Sequence, residues 1–251
     1  MGGIHSQVRS LPAPRYDHMA RYGLTTPLAA DYADLSTTAD TTMAALATGP
    51  TMLAGAMYFT AADQASAKNA GVWRDVSADF PNSGDEYAYI SLIGWRRTNI
   101  KATTNSPDFF AAGGIMGRVT HAGTRFGGGG AVYQAQGEGT CQVKMVAATG
   151  TMATPAGLGG SLDSQHTTAL VINVIKRIDA LDNCEIDTWV ARPGEEPMYI
   201  ERYATFDLVS APALIYFMHL NVNAHDGEMF VYGERGLSTA LLTSEFGITR
   251  P

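Results

Sequence analysis

Short apolar stretches, broken by glycine, proline, asparagine and aspartate, recur from residue 51 to the end of the chain. Their β-branched and aromatic content suits half-buried pleated strands, and continuous helical periodicity is hard to find. This rhythm predicts strands over 52–59, 87–95, 114–119, 131–136, 141–148, 168–178, 184–190, 198–203, 213–222 and 228–233. Turn-rich connectors fall at 79–85, 103–108, 127–130 and 154–160. So many short strands predict an all-β, two-sheet antiparallel jelly-roll sandwich, with a barrel or another two-sheet topology as the alternative. The absence of an internal repeat argues against propellers and solenoids. Near the C-terminus the apolar run 213–221, the pair Asp226-Gly227 and the run 228–233 predict a β-hairpin, followed by a helical turn that starts at Leu237-Ser238.

Residues 1–50 break this rhythm. Pro12, Pro14 and Pro27 fix the backbone, and the Thr/Ala/Asp/Ser mixture of 28–49 has no sustained period. The pattern predicts an extended N-terminal arm with one short helical turn over 40–46, leaving 51–251 as the sandwich. Apolar punctuation at Leu11, Tyr16, Met19, Tyr22, Leu24, Leu28, Tyr32 and Leu35 is too regular for a solvated linker. The arm is expected to lie along its own domain, a neighbouring subunit or a larger assembly, with Arg9, Arg15, Tyr16, Arg21 and Tyr22 as candidate partner-docking residues.

The segment His225-Asp226-Gly227-Glu228-Met229-Phe230-Val231, followed by Arg235-Gly236-Leu237-Ser238 and then 241–245, resembles the C-terminal signature of laminin-G-like domains. These domains belong to the concanavalin A-like lectin/glucanase superfamily. The resemblance implies a concanavalin A-like sandwich. Modules of this kind also occur as virion proteins of tailed phages. This leads to the first functional expectation, a non-enzymatic structural or adhesive virion protein, decorating a capsid or forming a fibre and docking through its arm. Its expected partners are other virion proteins, itself as a homo-oligomer, and a surface glycan. The alternative is a lectin-like glycan-binding module, for which an extracellular setting is the natural one, and a glycoside hydrolase is the third reading.

Composition narrows these options. Of 251 residues, 45% are hydrophobic and 16% charged, enough apolar content for one sizeable core and too little charge for disorder. The net charge of −7 comes without a basic stripe, which argues against nucleic-acid binding. Residues 1–30 nevertheless carry three arginines against Asp17, giving a basic arm on an acidic body. No run approaches the roughly 18 apolar residues of a membrane span, and no apolar signal core is evident, so no membrane partner is expected. The start Met1-Gly2-Gly3-Ile4-His5-Ser6 fits a myristoylation pattern, but without a second anchoring signal it reads as a flexible glycine-rich start. Cys141 and Cys184 do not make a disulfide framework, and whether they are bridged stays open.

The candidate chemistry is concentrated in Glu185-Ile186-Asp187-Thr188-Trp189. On a strand, Glu185, Asp187 and Trp189 share one face, placing two carboxylates beside an aromatic plate. The stretch is similar to the start of the catalytic Glu-Ile-Asp strand of laminarinase-type glycoside hydrolases, which need a further glutamate on the same face. A retaining mechanism needs two carboxylates about 5–5.5 Å apart, and the positions that follow are Trp189, Val190 and Ala191. No catalytic residue is therefore assigned. Without the chemistry, Glu185, Asp187, Trp189 and Tyr199, with Tyr203 nearby, form a candidate glycan face, against the simpler reading that Trp189 is core. Asn221, Asn223 and Asp226 hold too few carboxylates for calcium, and the six histidines lack metal spacing. No metal or cofactor is expected. Gly-x-Ser-x-Gly is absent, and the glycines 127–130 lack a phosphate-loop ending.

Overall fold

The computed structural model describes residues 14–34, 41–45, 57–61, 68–79, 81–100, 108–116, 128–136, 140–146, 152–153, 166–178, 183–191, 195–207, 214–221 and 225–251. Its elements in chain order are helix α1 (Pro14–Arg21) and strands β1 (Ala33–Asp34), β2 (Thr41–Ala45), β3 (Met57–Ala61), β4 (Lys68–Asp75), β5 (Glu86–Ile100), β6 (Asp108–Met116) and β7 (Gly128–Gln136). There follow β8 (Thr140–Val146), β9 (Met152–Ala153), β10 (His166–Arg177), β11 (Asn183–Ala191), β12 (Met198–Asp207), β13 (Leu214–Asn221), β14 (His225–Ser238) and helix α2 (Thr239–Phe246). Two seven-stranded antiparallel sheets result, ordered β1-β4-β13-β6-β7-β8-β9 and β12-β11-β10-β5-β14-β3-β2. This is the all-β, two-sheet sandwich that the strand rhythm predicts.

The β12-to-β2 sheet is buried on both faces along its central strands, which explains why 88–93, 169–175 and 186–191 read as nearly continuous apolar runs. One face meets the other sheet and holds Ile93, Val171, Ile175, Ile186 and Val231. The opposite, outer face carries Ala88, Ile90, Leu92, Leu170, Ile172, Val174, Trp189 and Ala191, and it is covered by Tyr22 and Leu24 and by Leu242 of α2. Helix α2 is set by its caps. The Ser238 hydroxyl accepts the Leu241 N–H at 3.3 Å, and Gly247 adopts φ 67° to donate its N–H to the Thr243 carbonyl at 2.8 Å.

Two expectations are corrected. First, 213–222 and 228–233 do not form a hairpin. β13 is flanked on both edges by β4 and β6, so β14 crosses to the other sheet and pairs with β5 and β3. Asp226 and Gly227 lie inside β14, where the register against β5 shifts. Second, the turn expected at 40–46 is strand β2, paired with β3. Of the surfaces left open for the arm, its own domain receives it at two points: Tyr22 is fully buried, worth about 2 kcal/mol in apolar transfer, and Thr25 and Glu234 exchange backbone hydrogen bonds at 3.1 and 2.9 Å. Gly233 permits this approach, because a Cβ there would overlap Met19 Sδ and stand 2.8 Å from Leu24 Cβ. β4, which no periodic signal marked, is polar and glycine-containing but is held by backbone pairing on both edges.

A polar bridge also anchors the arm. The Tyr32 hydroxyl donates to Glu234, Arg74 Nη2 lies 3.4 Å from the same carboxylate, and its guanidinium stacks 5.5 Å from the Tyr32 ring centre. Burial raises the Glu234 carboxyl above the ordinary glutamate value. Cys141 on β8 and Cys184 on β11 lie in opposite sheets.

Candidate functional site

Strand register builds the site. Across β11, β10 and β5, one row aligns Glu185, Lys176 and Glu86, the next Asp187, Val174 and Ala88, and a third Trp189, Ile172 and Ile90. Glu185, Asp187 and Trp189 therefore share the outer face, as the period-two argument requires. That face is not an open platform. After α2, Gly247 turns the chain so that residues 248–251 run back over the sheet, with Ile248 packed against the core.

Arg250 from this tail reaches three carboxylates at once. Its Nη1 donates to Glu86 at 2.6 Å, its Nη2 donates to Glu185 at 2.8 Å, and its Nε donates to Asp187. Asp187 is completely buried and accepts further bonds from Arg202 Nε at 3.0 Å, Arg202 Nη2 at 3.3 Å and the Tyr199 hydroxyl at 2.9 Å. Such complete pairing is what a buried carboxylate needs, since an uncompensated one is costly. Burial opposes the charge on Arg250, yet the bonds to Asp187, Glu86 and Glu185 outweigh it and hold its pKa above the ordinary arginine value. The Tyr199 phenol is pushed up to about 12, first by desolvation and then by its bond to Asp187.

The candidate glycan residues are thus brought together but play different parts. Trp189 is only 5% exposed and meets Tyr199 edge-on at 5.2 Å, so it is core and offers no ring face to a ligand. Asp187 is a structural anion. Glu185 retains partial exposure, and Tyr199 is 36% exposed at the rim. The Tyr203 side chain lies outside the described residues.

Of the docking residues, Arg9 lies outside the described residues, and Arg15 and Tyr16 are placed only by the backbone of α1. Arg21 instead pairs with Glu196 of its own chain at 2.5 Å, and Tyr22 packs against Phe246 with ring centres 4.8 Å apart. The Arg21 pair is exposed on both sides, whereas Tyr22 is fully buried. Asn221 and Asp226 end up on strands of different sheets, while Asn223 lies outside the described residues. Among the described residues no group of histidine, cysteine and acidic side chains gathers as a metal site, and no helix is long and apolar enough to cross a membrane.

An open pocket of about 630 Å³ adjoins the network. Its floor is Glu86, Lys176, Glu185 and Arg202; α2 contributes Thr239, Thr243 and Ser244, and the tail adds Thr249 and Arg250. Arg202 and Arg250 gave no sequence signal, because pairing of β12 with β11 sets Arg202 opposite Asp187 and the folded tail brings Arg250 there. Glu86 and Lys176 did carry one, the same strand parity as the apolar residues Ala88, Ile90 and Val174.

No protein-family model matches the chain, and no curated protein matches its sequence. Solved structures do resemble it. An engineered GH43 glycoside hydrolase with endo-xylanase and exo-arabinofuranosidase activity aligns over 85% of this chain at 13% identity and a TM-score of 0.52; this chain spans 39% of that structure. The VIP36 exoplasmic/lumenal domain in its Ca2+- and mannose-bound form aligns over 83% of this chain and 82% of its own at 6% identity, TM-score 0.43. A seed lectin of Lotus tetragonolobus aligns over 81% and 94% at 10% identity, TM-score 0.45. The likeness to the GH43 structure is one of fold alone, an all-β antiparallel sandwich.

Proposed function

We propose that this chain is a non-catalytic, lectin-like module that binds a glycan in the pocket between β11, α2 and the C-terminal tail. The observation that carries the reading is the pocket itself, where carboxylates, guanidinium groups and threonine hydroxyls converge. Polyhydroxylated ligands are held by such a mixture of acceptors and donors on a rigid wall. Catalysis is disfavoured because Asp187 and Glu185, the only carboxylates of the suggestive strand, are both engaged by Arg250. A glycosidase needs one carboxylate able to attack or deprotonate and another able to donate a proton.

Assembly into a particle through the arm is the weaker reading, since Tyr22 is buried in its own sandwich. A glycan array probed with the full chain, followed by titration of the best ligand, tests the proposal. The expected result is saturable binding that weakens in Arg202→Ala and Thr243→Val, with no release of reducing ends. Absence of binding across the array, or steady hydrolysis of a bound glycan, would overturn it.

A further inference from the structure

The pocket's charges point to which glycans it takes. Two carboxylates, Glu86 and Glu185, line it, each with a side chain 26% exposed, and Asp187 lies buried behind them. Three cations stand against these three anions: Lys176, Arg202 and Arg250. Each cation is already matched within the chain. Lys176 lies 3.5 Å from Glu86, Arg202 lies 3.0 Å from Asp187, and Arg250 spans all three carboxylates.

We infer, resting on the glycan-binding reading, that the ligand is a neutral saccharide and that Glu86 and Glu185 exclude uronic acids and other anionic sugars. An anionic ligand would have to take a guanidinium from one of these pairs and leave a carboxylate unpaired beside a like charge. A neutral sugar meets no such conflict. A carboxylate accepts about four hydrogen bonds, and the described contacts use only some of that capacity on Glu86 and Glu185. Sugar hydroxyls can therefore donate to both without disturbing Arg250, while the Lys176 ammonium donates to ring and hydroxyl oxygens and the Thr243 and Ser244 hydroxyls, whose protons go to the Ile248 and Leu241 carbonyls, act as acceptors.

The test is calorimetric titration of the full chain with matched pairs of oligosaccharides, one neutral and one carrying a uronic acid at the same position. Neutral members are expected to bind at least about tenfold more tightly, the scale of one unfavourable close charge contact at an exposed site. Glu185→Gln, which leaves Arg250 with less compensation, is expected to shrink or invert that ratio. Lys176→Gln removes a cation from the pocket floor without removing a partner of Arg250 and is expected to sharpen the rejection, so the inference stays testable if Glu185→Gln fails to fold. Equal or tighter binding of the uronate overturns the charge argument while leaving glycan recognition intact. A ratio unmoved by both variants places the ligand elsewhere and overturns the assignment. Binding of neither class removes the functional reading and this inference with it.

Discussion

Replacing Arg250 with methionine keeps most of the apolar stem but removes the charge that joins three carboxylates on two strands. Breaking a buried pair by deleting one partner costs about 3–5 kcal/mol where the remaining charge is left bare. Asp187 is not left bare, because Arg202 and Tyr199 still donate to it, and Glu86 and Glu185 regain water at the pocket edge. The expected loss is therefore smaller, about 2 kcal/mol, and comes mainly from crowding three carboxylates around one remaining guanidinium and the Lys176 ammonium. Arg202→Met removes a cation whose side chain is 39% exposed and whose one carboxylate keeps Arg250, so about 1 kcal/mol is expected. Urea unfolding of both variants at neutral pH checks the order, with a lower midpoint and an unchanged slope for Arg250→Met. In an Asp187→Asn background the cost of Arg250→Met should fall, exposing the coupling directly. If Arg250→Met matched wild type within about 0.5 kcal/mol, or cost less than Arg202→Met, the tail would not be the clasp described here.

Tyr199 supplies a pH test. Its folded-state pKa lies above the unfolded value, so its contribution is fully present below about pH 10 and is lost as pH rises towards about 12. Tyr199→Phe should lose about 1 kcal/mol at neutral pH and flatten that alkaline decline, as read from unfolding midpoints across the range. Gly233→Ala places a methyl group against Met19 and Leu24; a loss of about 1–3 kcal/mol and faster proteolysis after α1 are expected, and wild-type behaviour would mean that the arm is not seated on β14. Arg21→Ala removes an exposed ion pair, with side chains 44% and 72% exposed, and should leave the urea midpoint unchanged.

The Glu185-Ile186-Asp187 stretch shows why a local pattern is ambiguous for function. Alternation dictates that Glu185, Asp187 and Trp189 share a face, and they do. What the face does depends on what covers it. An uncovered carboxylate pair can act as acid and base, whereas the same pair beneath Arg250 is an electrostatic fastening for residues 248–251.

Strand period, apolar runs and turn residues determine the all-β sandwich, the Ser238 start of α2 and the common face of Glu185, Asp187 and Trp189, because these follow from local geometry repeated every second residue. The same local rules cannot report which strands become neighbours. They predicted a hairpin for β13 and β14, yet both edges of β13 are taken by β4 and β6. They also set residues 1–50 apart as an arm and left open what it lies on; Tyr22 and Leu24 complete the outer core of their own sandwich. Arg250 reaches β11 from more than sixty residues away, and the pocket beside it exists only once α2 and the tail have closed on the sheet. Those outcomes belong to tertiary structure because burial and ion pairing act between groups in space, whatever their separation along the chain.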